Sequence, residues 1–410
     1  MNRRPDVCLV APGHLASTPR LVRNADALAA AGYSVHVVSG RHFTPAEPLD
    51  ATLLAHARWS STRVDLRGGW RPLWSRIDQK LARFRLSASS DWPLAARAQH
   101  SGHAPLVAAA ARTGASFYYG HGGVAGLAAA AGAARLNGTN FGFDAEDWHE
   151  EESDSPDAAH LTAVRTLLRG LLPRARFLTC ASPLIGDAYA QSYGVRLASL
   201  LNVFPLADAP AAPRLPRPPS ADNPAILYWF SQTIGPGRGL EQIVDTLLHL
   251  RTPAVLHLRG FPAAGFIETL RARAGSLANR IVVFPPADAG EMVRLSAGAH
   301  LGLSLEQPTP RNRDLCLTNK IFAYLLAGVP VALTPTSAQT QLAPDLGPAA
   351  LMLNPGAPRE NAALLDNWFA RHAASAAAHA WKLGRERFNW DRKSEKLVAL
   401  FGQQIGAPQR

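Results

Sequence analysis

The chain has 410 residues, of which 47% are apolar and 18% are charged. This composition provides a sizeable core and excludes long disordered regions, and the length suits two or three domains. Lys and Arg outnumber Asp and Glu by 42 to 31, and the resulting net charge of +11 favours an anionic partner such as nucleotide phosphates, nucleic acid or a membrane surface.

The cysteines and the lengths of the apolar runs indicate the cellular location of the protein. Cys8, Cys180 and Cys316 are far apart in the sequence, so they predict neither a zinc site nor a disulfide framework and favour a reducing, cytoplasmic location. No run reaches the roughly 18 apolar residues that a transmembrane helix requires. The run Val7–Ala11 is too short for a signal-peptide core and predicts a buried first strand.

The first half of the chain alternates strand and helix patterns. Residues 7–11 end at a Pro-Gly turn signal, residues 20–31 follow a helical pattern that ends at Gly32, and residues 35–39 predict a second strand. This order is a βαβ unit, which requires a parallel sheet. Further strands are expected at 116–119, 140–144 and 177–180.

A proline-rich stretch at 205–224 interrupts the pattern and predicts an extended linker, because proline fits neither helix interiors nor central strands. The alternation then restarts, with strands expected at 225–230, 254–259, 281–284, 301–305 and 329–333. Helices are expected at 239–250, 263–274, 288–297, 319–327 and 359–386. The sequence therefore predicts an α/β protein with two doubly wound, Rossmann-like domains, residues 1–204 and 225–385, whose strand ends face a cleft.

Ligands of open α/β sheets bind where strands end, so the loops after strands are the candidate sites. The loop after the first strand lacks GxGxxG, and an NAD-type site is not expected. It suits an acceptor substrate, with Arg20 at the helix start as an anion hook; alternatively it is a plain turn in which Ser17 or Thr18 caps the helix. The candidate acceptor-binding residues are Gly13, Ser17, Thr18, Arg20 and Asp144.

Three residues in the following loops are candidates for the chemistry. His121 lies in a glycine-rich turn, and Asp147 and His149 lie in the acidic segment 144–152. These side chains can bind sugar hydroxyls or take part in proton transfer. The alternatives are a structural histidine and a solvated acidic helix start. No second cluster has metal-ligand spacing, so no metal site and no cofactor are predicted.

The second half offers a phosphate site. Residues 231–239 expose backbone N–H groups at a helix start, and Arg238 adds a cation, which suits a diphosphate; a plain glycine turn is the alternative. Lys320 lies in the first turn of the predicted helix 319–327, where a cation is unfavourable unless an anion is bound nearby. The alternative is a surface lysine whose side chain extends into water. Thr318 is expected to cap that helix, and Glu306 can accept hydrogen bonds from ribose or sugar hydroxyls. The candidate donor-binding residues are Ser231, Gln232, Thr233, Gly237, Arg238, Glu306, Thr318, Asn319 and Lys320.

One helical stretch between 58 and 100 carries an apolar face. Trp74, Ile77, Leu81 and Phe84 share that face, and basic residues lie elsewhere. The pattern fits an amphipathic helix at a membrane surface that holds a lipid-linked or polysaccharide acceptor. The simpler interpretation, which we favour, is a surface helix whose apolar face packs on the first domain.

Four segments, spread along most of the chain, follow one another in a characteristic order: TPRLVRNADALAAAGYSVHVVSG, YWFSQTIGPGRGLEQIVDTL, TNKIFAYLLAGVPVAL and ERFNWDRKSEKLVALF. Together they resemble glycosyltransferase family 4, whose members have the GT-B fold of two Rossmann-like domains. The resemblance implies an N-terminal acceptor-binding domain, a C-terminal nucleotide-sugar-binding domain and a last segment, 386–410, that crosses back to the first domain.

The sequence departs from the family pattern at the donor site. The family often has Gly-Arg where this chain has Ser231-Gln232, and it tends to have glutamates where this chain has Ala323 and Leu315. Three explanations stay open: a divergent enzyme, a different donor or an inactive relative.

The resemblance implies transfer of a sugar from a nucleotide-diphosphate sugar to an acceptor hydroxyl of a glycan, polysaccharide or lipid-linked precursor. It further implies retention of configuration. Cations and a helix N-terminus can stabilise the leaving group without a metal. The expected location is cytoplasmic, at the inner face of the membrane if the amphipathic stretch docks there. The alternative is a catalytically inactive binding or scaffold protein with the same fold. Nucleic acid is not expected as a partner, because no helix-turn-helix, zinc or RNA-recognition signature accompanies the positive charge.

Overall fold

The computed structural model describes residues 4–67, 70–86, 91–152, 157–213 and 217–408. The chain divides into two compact units. The first comprises the chain up to Leu200 together with the chain from Ser394 onward, and the second comprises Leu201–Lys393.

The first unit is built on a seven-stranded parallel sheet. Its strand order is β3-β2-β1-β4-β5-β6-β7, so the direction of winding reverses between β1 and β4. The strands are β1 (Val7–Ala11), β2 (Val35–Arg41), β3 (Ser60–Asp65), β4 (Phe117–Gly120), β5 (Asn140–Ala145), β6 (Phe177–Cys180) and β7 (Ala198–Ser199). Its helices are α1 (Pro19–Ala30), α2 (Glu47–His56), α3 (Trp70–Leu86), α4 (Trp92–Gln99), α5 (His103–Arg112), α6 (Val124–Asn137), α7 (Ala158–Leu171) and α8 (Pro183–Tyr193).

The second unit is built on a six-stranded parallel sheet of order β10-β9-β8-β11-β12-β13, which reverses between β8 and β11. The strands are β8 (Ala225–Ile234), β9 (Ala254–Pro262), β10 (Ile281–Phe284), β11 (Leu301–Ser304), β12 (Val331–Leu333) and β13 (Ala350–Met352). The helices are α9 (Leu240–His249), α10 (Phe266–Ala274), α11 (Met292–Ser296), α12 (Arg311–Leu315), α13 (Asn319–Ala327), α14 (Ser337–Leu346), α15 (Pro358–Arg371), α16 (Ala373–Glu386) and α17 (Trp390–Ile405), which belongs to the first unit from Ser394 onward.

The central strands of both sheets are apolar runs because helices cover both of their faces. Every residue of β1 is fully buried. In the second unit, Trp229 of β8 and Leu256 of β9 belong to one apolar cluster with Leu303 of β11 and Trp368 of α15. The predicted fold class, α/β with two doubly wound parallel sheets, is confirmed.

Several predicted boundaries are wrong. Residues 231–234 continue β8 instead of opening a loop, because they pair with β9 as far as Ile234 and Pro262 across a bulge. The expected helix 359–386 is two helices that break at His372. Segment 144–152 starts no helix, because β5 includes Asp144 and the next helix begins at Ala158. Three strands, β3, β7 and β13, were not predicted.

The proline-rich stretch belongs to the second unit as far as it is described. The carbonyl oxygen of Arg217 accepts a hydrogen bond from Nε2 of His300 at 3.0 Å, while Nδ1 of the same ring accepts from the backbone N–H of Ile226 at 3.1 Å. These bonds fix the end of this stretch beside β8. No helix within the described ranges is both long enough and apolar enough to cross a membrane.

Candidate functional site

Polar residues gather at the carboxyl edge of each sheet, close to the strand reversals where open α/β sheets bind ligands. In the first unit they surround Asp144, and we name Arg20, Tyr119, His121, Asp144 and Thr179 the Asp144 cluster. In the second unit they surround Glu306, and we name Trp229, Arg238, Glu306, Arg313 and Lys320 the Glu306 cluster.

The Asp144 cluster is centred on a buried ion pair. The guanidinium of Arg20 donates from Nε to Oδ2 of Asp144 and, at 3.0 Å, from Nη2 to Oδ1. Its other bonds go to the carbonyl oxygens of Leu200, at 2.6 Å, and Cys180, at 3.3 Å. Arg20 is 1% exposed. The predicted anion hook therefore points into the domain, where it fixes Asp144.

Asp144 in turn orients two neighbours. The Thr179 hydroxyl donates to its Oδ1 at 2.7 Å, and Nδ1 of His121 lies 3.4 Å from its Oδ2. Burial raises the pKa of Asp144, but Arg20 and His121 outweigh it and hold that pKa well below its ordinary range. Asp144 is a permanent carboxylate that faces Nδ1 of His121 and selects the tautomer with the proton there.

His121 presents its other nitrogen as an acceptor. Burial lowers the pKa of His121, which Asp144 opposes only in part, so the ring is neutral at pH 7. With the proton on Nδ1, Nε2 has a free lone pair, and this buried atom makes no hydrogen bond within the described residues. The arrangement can accept a hydrogen bond from a ligand hydroxyl.

Two glycines bring the His121 loop to its place. A Cβ on Gly126 would lie 1.8 Å from the carbonyl oxygen of His121, and a Cβ on Gly120 would lie 2.5 Å from the carbonyl oxygen of Gly126. Only glycine permits this approach of α6 to the end of β4. The glycine-rich turn that contains His121 is therefore held by close packing against α6.

His149 is the second buried histidine beside this loop. A Cβ on Gly123 would lie 3.7 Å from Cε1 of His149, so the ring borders the turn that contains His121. Burial lowers the pKa of His149, but its Nδ1 contact with Glu152 reverses the effect and the net pKa is raised. Its Nε2 is buried without a hydrogen bond in the described structure.

The acidic segment holds a further titratable group. Burial, followed by the neighbouring Asp147, raises the pKa of Glu146 to about 7. The Asp147 side chain is half-buried, and the backbone carbonyl oxygen of Asp147 accepts a hydrogen bond from the Tyr189 hydroxyl at 3.1 Å. Asp144, His149 and the Trp148 ring are buried, so the alternative of a solvated acidic helix start is wrong.

The loop after β1 is fixed by a histidine that the sequence did not single out. Nε2 of His14 accepts the backbone N–H groups of His42, at 3.1 Å, and Phe43, at 2.9 Å, so the proton is on Nδ1 and points to Asp50 at 2.6 Å. The hydroxyls of Ser17 and Thr18 donate to the His14 carbonyl at 2.8 and 3.0 Å. Neither hydroxyl caps α1, although Thr18 occupies the N-cap position. Gly13 lies in the same turn, where a Cβ would come 3.3 Å from the Ser17 hydroxyl oxygen.

The Glu306 cluster begins with a second buried ion pair. Nζ of Lys320, near the start of α13, lies 2.8 Å from Oε1 of Glu306 and 5.7 Å from the centre of the Trp229 ring. Lys320 is 6% exposed, so the alternative of a surface lysine is wrong. Burial raises the pKa of Glu306, but Lys320, Arg238 and Arg313 together lower it below its ordinary value.

The charge around Glu306 is unbalanced. Three cations, Lys320, Arg238 and Arg313, act on one carboxylate, which leaves a surplus of two positive charges in this group. Both arginines are half-buried, and Nη1 of Arg313 donates to the Gly237 carbonyl at 3.0 Å, so α12 contacts the glycine loop. Such a surplus at the carboxyl edge of a sheet suits a diphosphate.

Close packing explains why Arg238 reaches Glu306. Gly239 has φ of 74°, and a Cβ there would lie 2.5 Å from Cβ of Leu305, the residue before Glu306. Gly237 also has a positive φ, 69°. The loop 235–239 therefore crosses the end of β11 directly, as the glycines predicted, but Ser231, Gln232 and Thr233 lie in β8, with Gln232 and Thr233 exposed.

The start of α13 differs from its prediction in one respect. The helix ends at Ala327, as predicted, and Gly328 follows it in the left-handed conformation with φ of 76°. Thr318 occupies the N-cap position, but its hydroxyl does not cap; it lies 3.3 Å from the Ser304 hydroxyl. Asn319 is the first residue of the helix and is half-buried.

Arg313 and the His14 network escaped the sequence analysis. The run PRNRDL, residues 310–315, is a local concentration of arginines between the predicted strand 301–305 and the predicted helix 319–327, and it was the available signal for Arg313. The partners of His14 are 28 to 36 residues away along the chain, so no local pattern marks them. In the described parts of the chain no group of three His, Cys, Asp or Glu side chains can hold a metal ion.

Comparison with known proteins identifies the class of fold. No protein-family model matches the sequence, and no curated protein matches it. HepE of Anabaena, solved with UDP and glucose, is 15% identical over 97% of this chain and 100% of its own, with a TM-score of 0.69. Sucrose-phosphate synthase of Thermosynechococcus elongatus is 14% identical over 99% and 100%, with a TM-score of 0.67. A glycosyltransferase of Rickettsia africae is 12% identical over 97% and 98%, with a TM-score of 0.64.

Sequence identities as low as these show a common fold and nothing about activity. The chain has the GT-B architecture of two parallel α/β domains that the sequence resemblance implied.

Proposed function

We propose that this protein is a glycosyltransferase that transfers a sugar from a nucleotide-diphosphate sugar to an acceptor hydroxyl. The observation that carries the proposal is the surplus of cations in the Glu306 cluster, at the strand reversal of the second sheet. The likeness to HepE, which was solved with UDP and with UDP-glucose, favours a uridine nucleotide as the first donor to test.

Each unit has its own part in the proposal. In the second unit, Arg238 and Arg313 hold the diphosphate, and Lys320 keeps Glu306 ionised as an acceptor for ribose or sugar hydroxyls. The exposed Gln232 and Thr233 at the end of β8 and the start of α13 add neutral hydrogen-bond donors. In the first unit, His121, Asp147 and His149 position the acceptor, and Arg20 and Asp144 act through His121 as positioning residues.

The proposed reaction needs no protein base. The bond between the anomeric carbon and the β-phosphate oxygen breaks, the acceptor oxygen bonds to the anomeric carbon, and the acceptor proton passes to the leaving phosphate. Negative charge develops on that phosphate, and fixed arginines stabilise it without reorganisation. Retention of configuration and independence of metal are part of the proposal through the family resemblance.

The acceptor is proposed to be a glycan, a polysaccharide or a lipid-linked precursor. A ligand hydroxyl that donates to Nε2 of neutral His121 keeps its own lone pairs free. Nε2 of His149 donates when the ring is protonated, which its raised pKa favours. A sugar hydroxyl both donates and accepts hydrogen bonds, so it can donate to Nε2 of His121 and accept from Nε2 of protonated His149.

One observation favours a protein that binds the donor without transferring it. Ala323 is fully buried in α13, and its methyl group cannot accept a hydrogen bond from a ribose as the family glutamate would. This second candidate shares the diphosphate site with the first and differs only in the chemistry.

Two measurements test the proposal together. Thermal unfolding is recorded with UDP, GDP, ADP and CMP, and a ligand at about 100 times its dissociation constant adds roughly 2.7 kcal/mol. Release of nucleoside diphosphate from the matching sugar donors is then followed over time. A selective shift with turnover supports the transferase, a shift without turnover supports the binding protein, and no shift with any nucleotide contradicts both.

A further inference from the structure

Three large apolar side chains of the helix α3 are exposed to solvent. The exposed fractions are 40% for Ile77, 50% for Leu81 and 84% for Phe84. These positions are four and three residues apart and therefore lie on one face of the helix. Trp74, which the sequence places on the same face, lies outside the residues whose side chains are described.

The opposite face of α3 makes the contacts with the domain. Ala82 and Leu86 are buried, and Nε2 of Gln79 donates to the carbonyl oxygens of Ala98 and Gln99, each at 3.2 Å. Nε of Arg83 donates to the Ala98 carbonyl at 3.1 Å. The interpretation that Ile77, Leu81 and Phe84 dock on the first domain is therefore wrong.

The exposed face combines apolar and cationic groups. Arg76, Lys80 and Arg85 are exposed beside the apolar positions. Asp78, the acidic residue of this helix, has a side chain that is 41% exposed and is paired with Arg97 of α4. A surface that presents large apolar side chains flanked by cations, with its one carboxylate already paired, complements an anionic lipid surface.

The concentration of exposed apolar groups is local. The described residues include nine exposed large apolar side chains, and three of them are on this one helix. Contiguous apolar patches on a protein surface mark interaction sites, whereas single exposed apolar residues do not.

We propose that α3 is a membrane-docking helix that lies in the headgroup region of a bilayer rich in anionic lipid, with Ile77, Leu81 and Phe84 inserted and Arg76, Lys80 and Arg85 at the phosphates. A protein partner would require matching carboxylates and a shaped pocket, whereas a bilayer accepts any stripe of this composition. The contact would hold the first unit at the surface where a lipid-linked acceptor resides. It does not depend on the proposed chemistry.

The test is co-sedimentation of the full chain with vesicles. One set contains phosphatidylcholine alone, and the other contains equal parts of phosphatidylcholine and phosphatidylglycerol. The chain is expected to bind the anionic vesicles and to bind more weakly as salt is raised. Reversal of Arg76, Lys80 and Arg85 to Glu is expected to weaken binding by at least about fivefold per cation removed.

The apolar contribution is tested with matched serine variants. Ile77→Ser/Leu81→Ser/Phe84→Ser is expected to lose most of the binding. Leu136→Ser, an exposed leucine of α6 in the same unit, is expected to keep it. Ile77 and Leu81 are only partly exposed and serine is a weaker helix former, so the triple variant is expected to melt somewhat below the wild type. Its melting curve must show that it is folded at the temperature of the binding assay.

A measurement on the wild type makes the test independent of the variants. Amide hydrogen exchange of residues 76–86 should slow when anionic vesicles are added. Equal binding of the triple variant and the wild type, no binding of the wild type, or a dimer in sedimentation velocity that the serine variant abolishes would each overturn the proposal.

Discussion

The ammonium of Lys320 lies 2.8 Å from the carboxylate of Glu306, and both side chains are buried. Two charges removed from water in this way are stable only as long as each has the other. The pair therefore preserves a charged site at the carboxyl edge of the second sheet, and this pair can be tested without any ligand.

Replacement of Lys320 by Met should destabilise the protein by about 3–5 kcal/mol, because Glu306 is left as a buried charge without its nearest partner. Adding Glu306→Leu should recover part of the loss, with a coupling energy of about 0.5–3 kcal/mol. Urea unfolding measures the four members of the cycle. Lys382→Met, at an exposed lysine of α16, is the control and should change little. Additive effects of the two cluster substitutions would show that the pair does not exist in solution.

Asp144→Asn tests the buried pair of the first unit. The substitution leaves Arg20 as a buried cation without a counter-charge, and a loss of about 3–5 kcal/mol is expected. Asp345→Asn is a matched control, because Asp345 pairs with Arg387 at the surface and exposed pairs are worth about 0–1 kcal/mol. Denaturant midpoints compare the two variants. Similar losses for both would contradict the burial of the Arg20–Asp144 pair.

Gly126→Ala tests how α6 positions His121. Helix propensity alone favours alanine at this position by about 1 kcal/mol. The new Cβ would meet the His121 carbonyl oxygen at 1.8 Å, so a net loss of stability of about 1–3 kcal/mol is expected instead. Gly290→Ala, where a Cβ meets open space, is the control. A Gly126→Ala protein as stable as the wild type would refute the close approach.

The pH dependence of stability has a source in His103 of α5. Burial, then His100 and Arg97, lower its pKa to about 4, below the unfolded value of about 6.5. As the pH falls from about 6.5 to about 4, the His103 ring is protonated in the unfolded state but stays neutral in the folded state. The free energy of unfolding therefore decreases over this range. The melting temperature of His103→Gln should therefore decrease less between pH 7 and pH 5 than that of the wild type.

His56→Gln, at an exposed histidine of α2, serves as the control for the pH series. It should follow the wild-type curve throughout. If His103→Gln followed that curve as well, the acid sensitivity would have to come from other groups, and the burial of the neutral His103 ring would not be its cause.

Local patterns predicted those parts of the fold that depend on nearby residues. The end of α13 at Ala327 was correct because a glycine follows it, and glycine readily takes the left-handed conformation that ends many helices. The end of β8 was missed because Ser231, Gln232 and Thr233 are polar and are typical of a loop. Pairing resumes after the bulge through Thr233 and Phe261 of β9, which are 28 residues apart, so no local pattern marks it.

The sites show the same division. The sequence located Glu306, Arg238 and Lys320, but not Arg313, which reaches the glycine loop from a five-residue helix hidden in a predicted loop. The sequence analysis expected the apolar face of α3 to pack on the first domain because it used hydrophobicity alone to decide which face is buried. The structure packs the helix through Ala82 and the amide of Gln79 instead.

The central claim is that Arg238 and Arg313 form a diphosphate site in the second unit. The most direct measurement is calorimetric titration of UDP into the wild type and into Arg238→Ala, Arg313→Ala and Arg359→Ala, the last an exposed arginine of α15. The account predicts that the first two substitutions each weaken binding by about 1–3 kcal/mol, as for charge-assisted contacts, and that the third leaves binding unchanged. UDP binding of the same strength in all four proteins would contradict it.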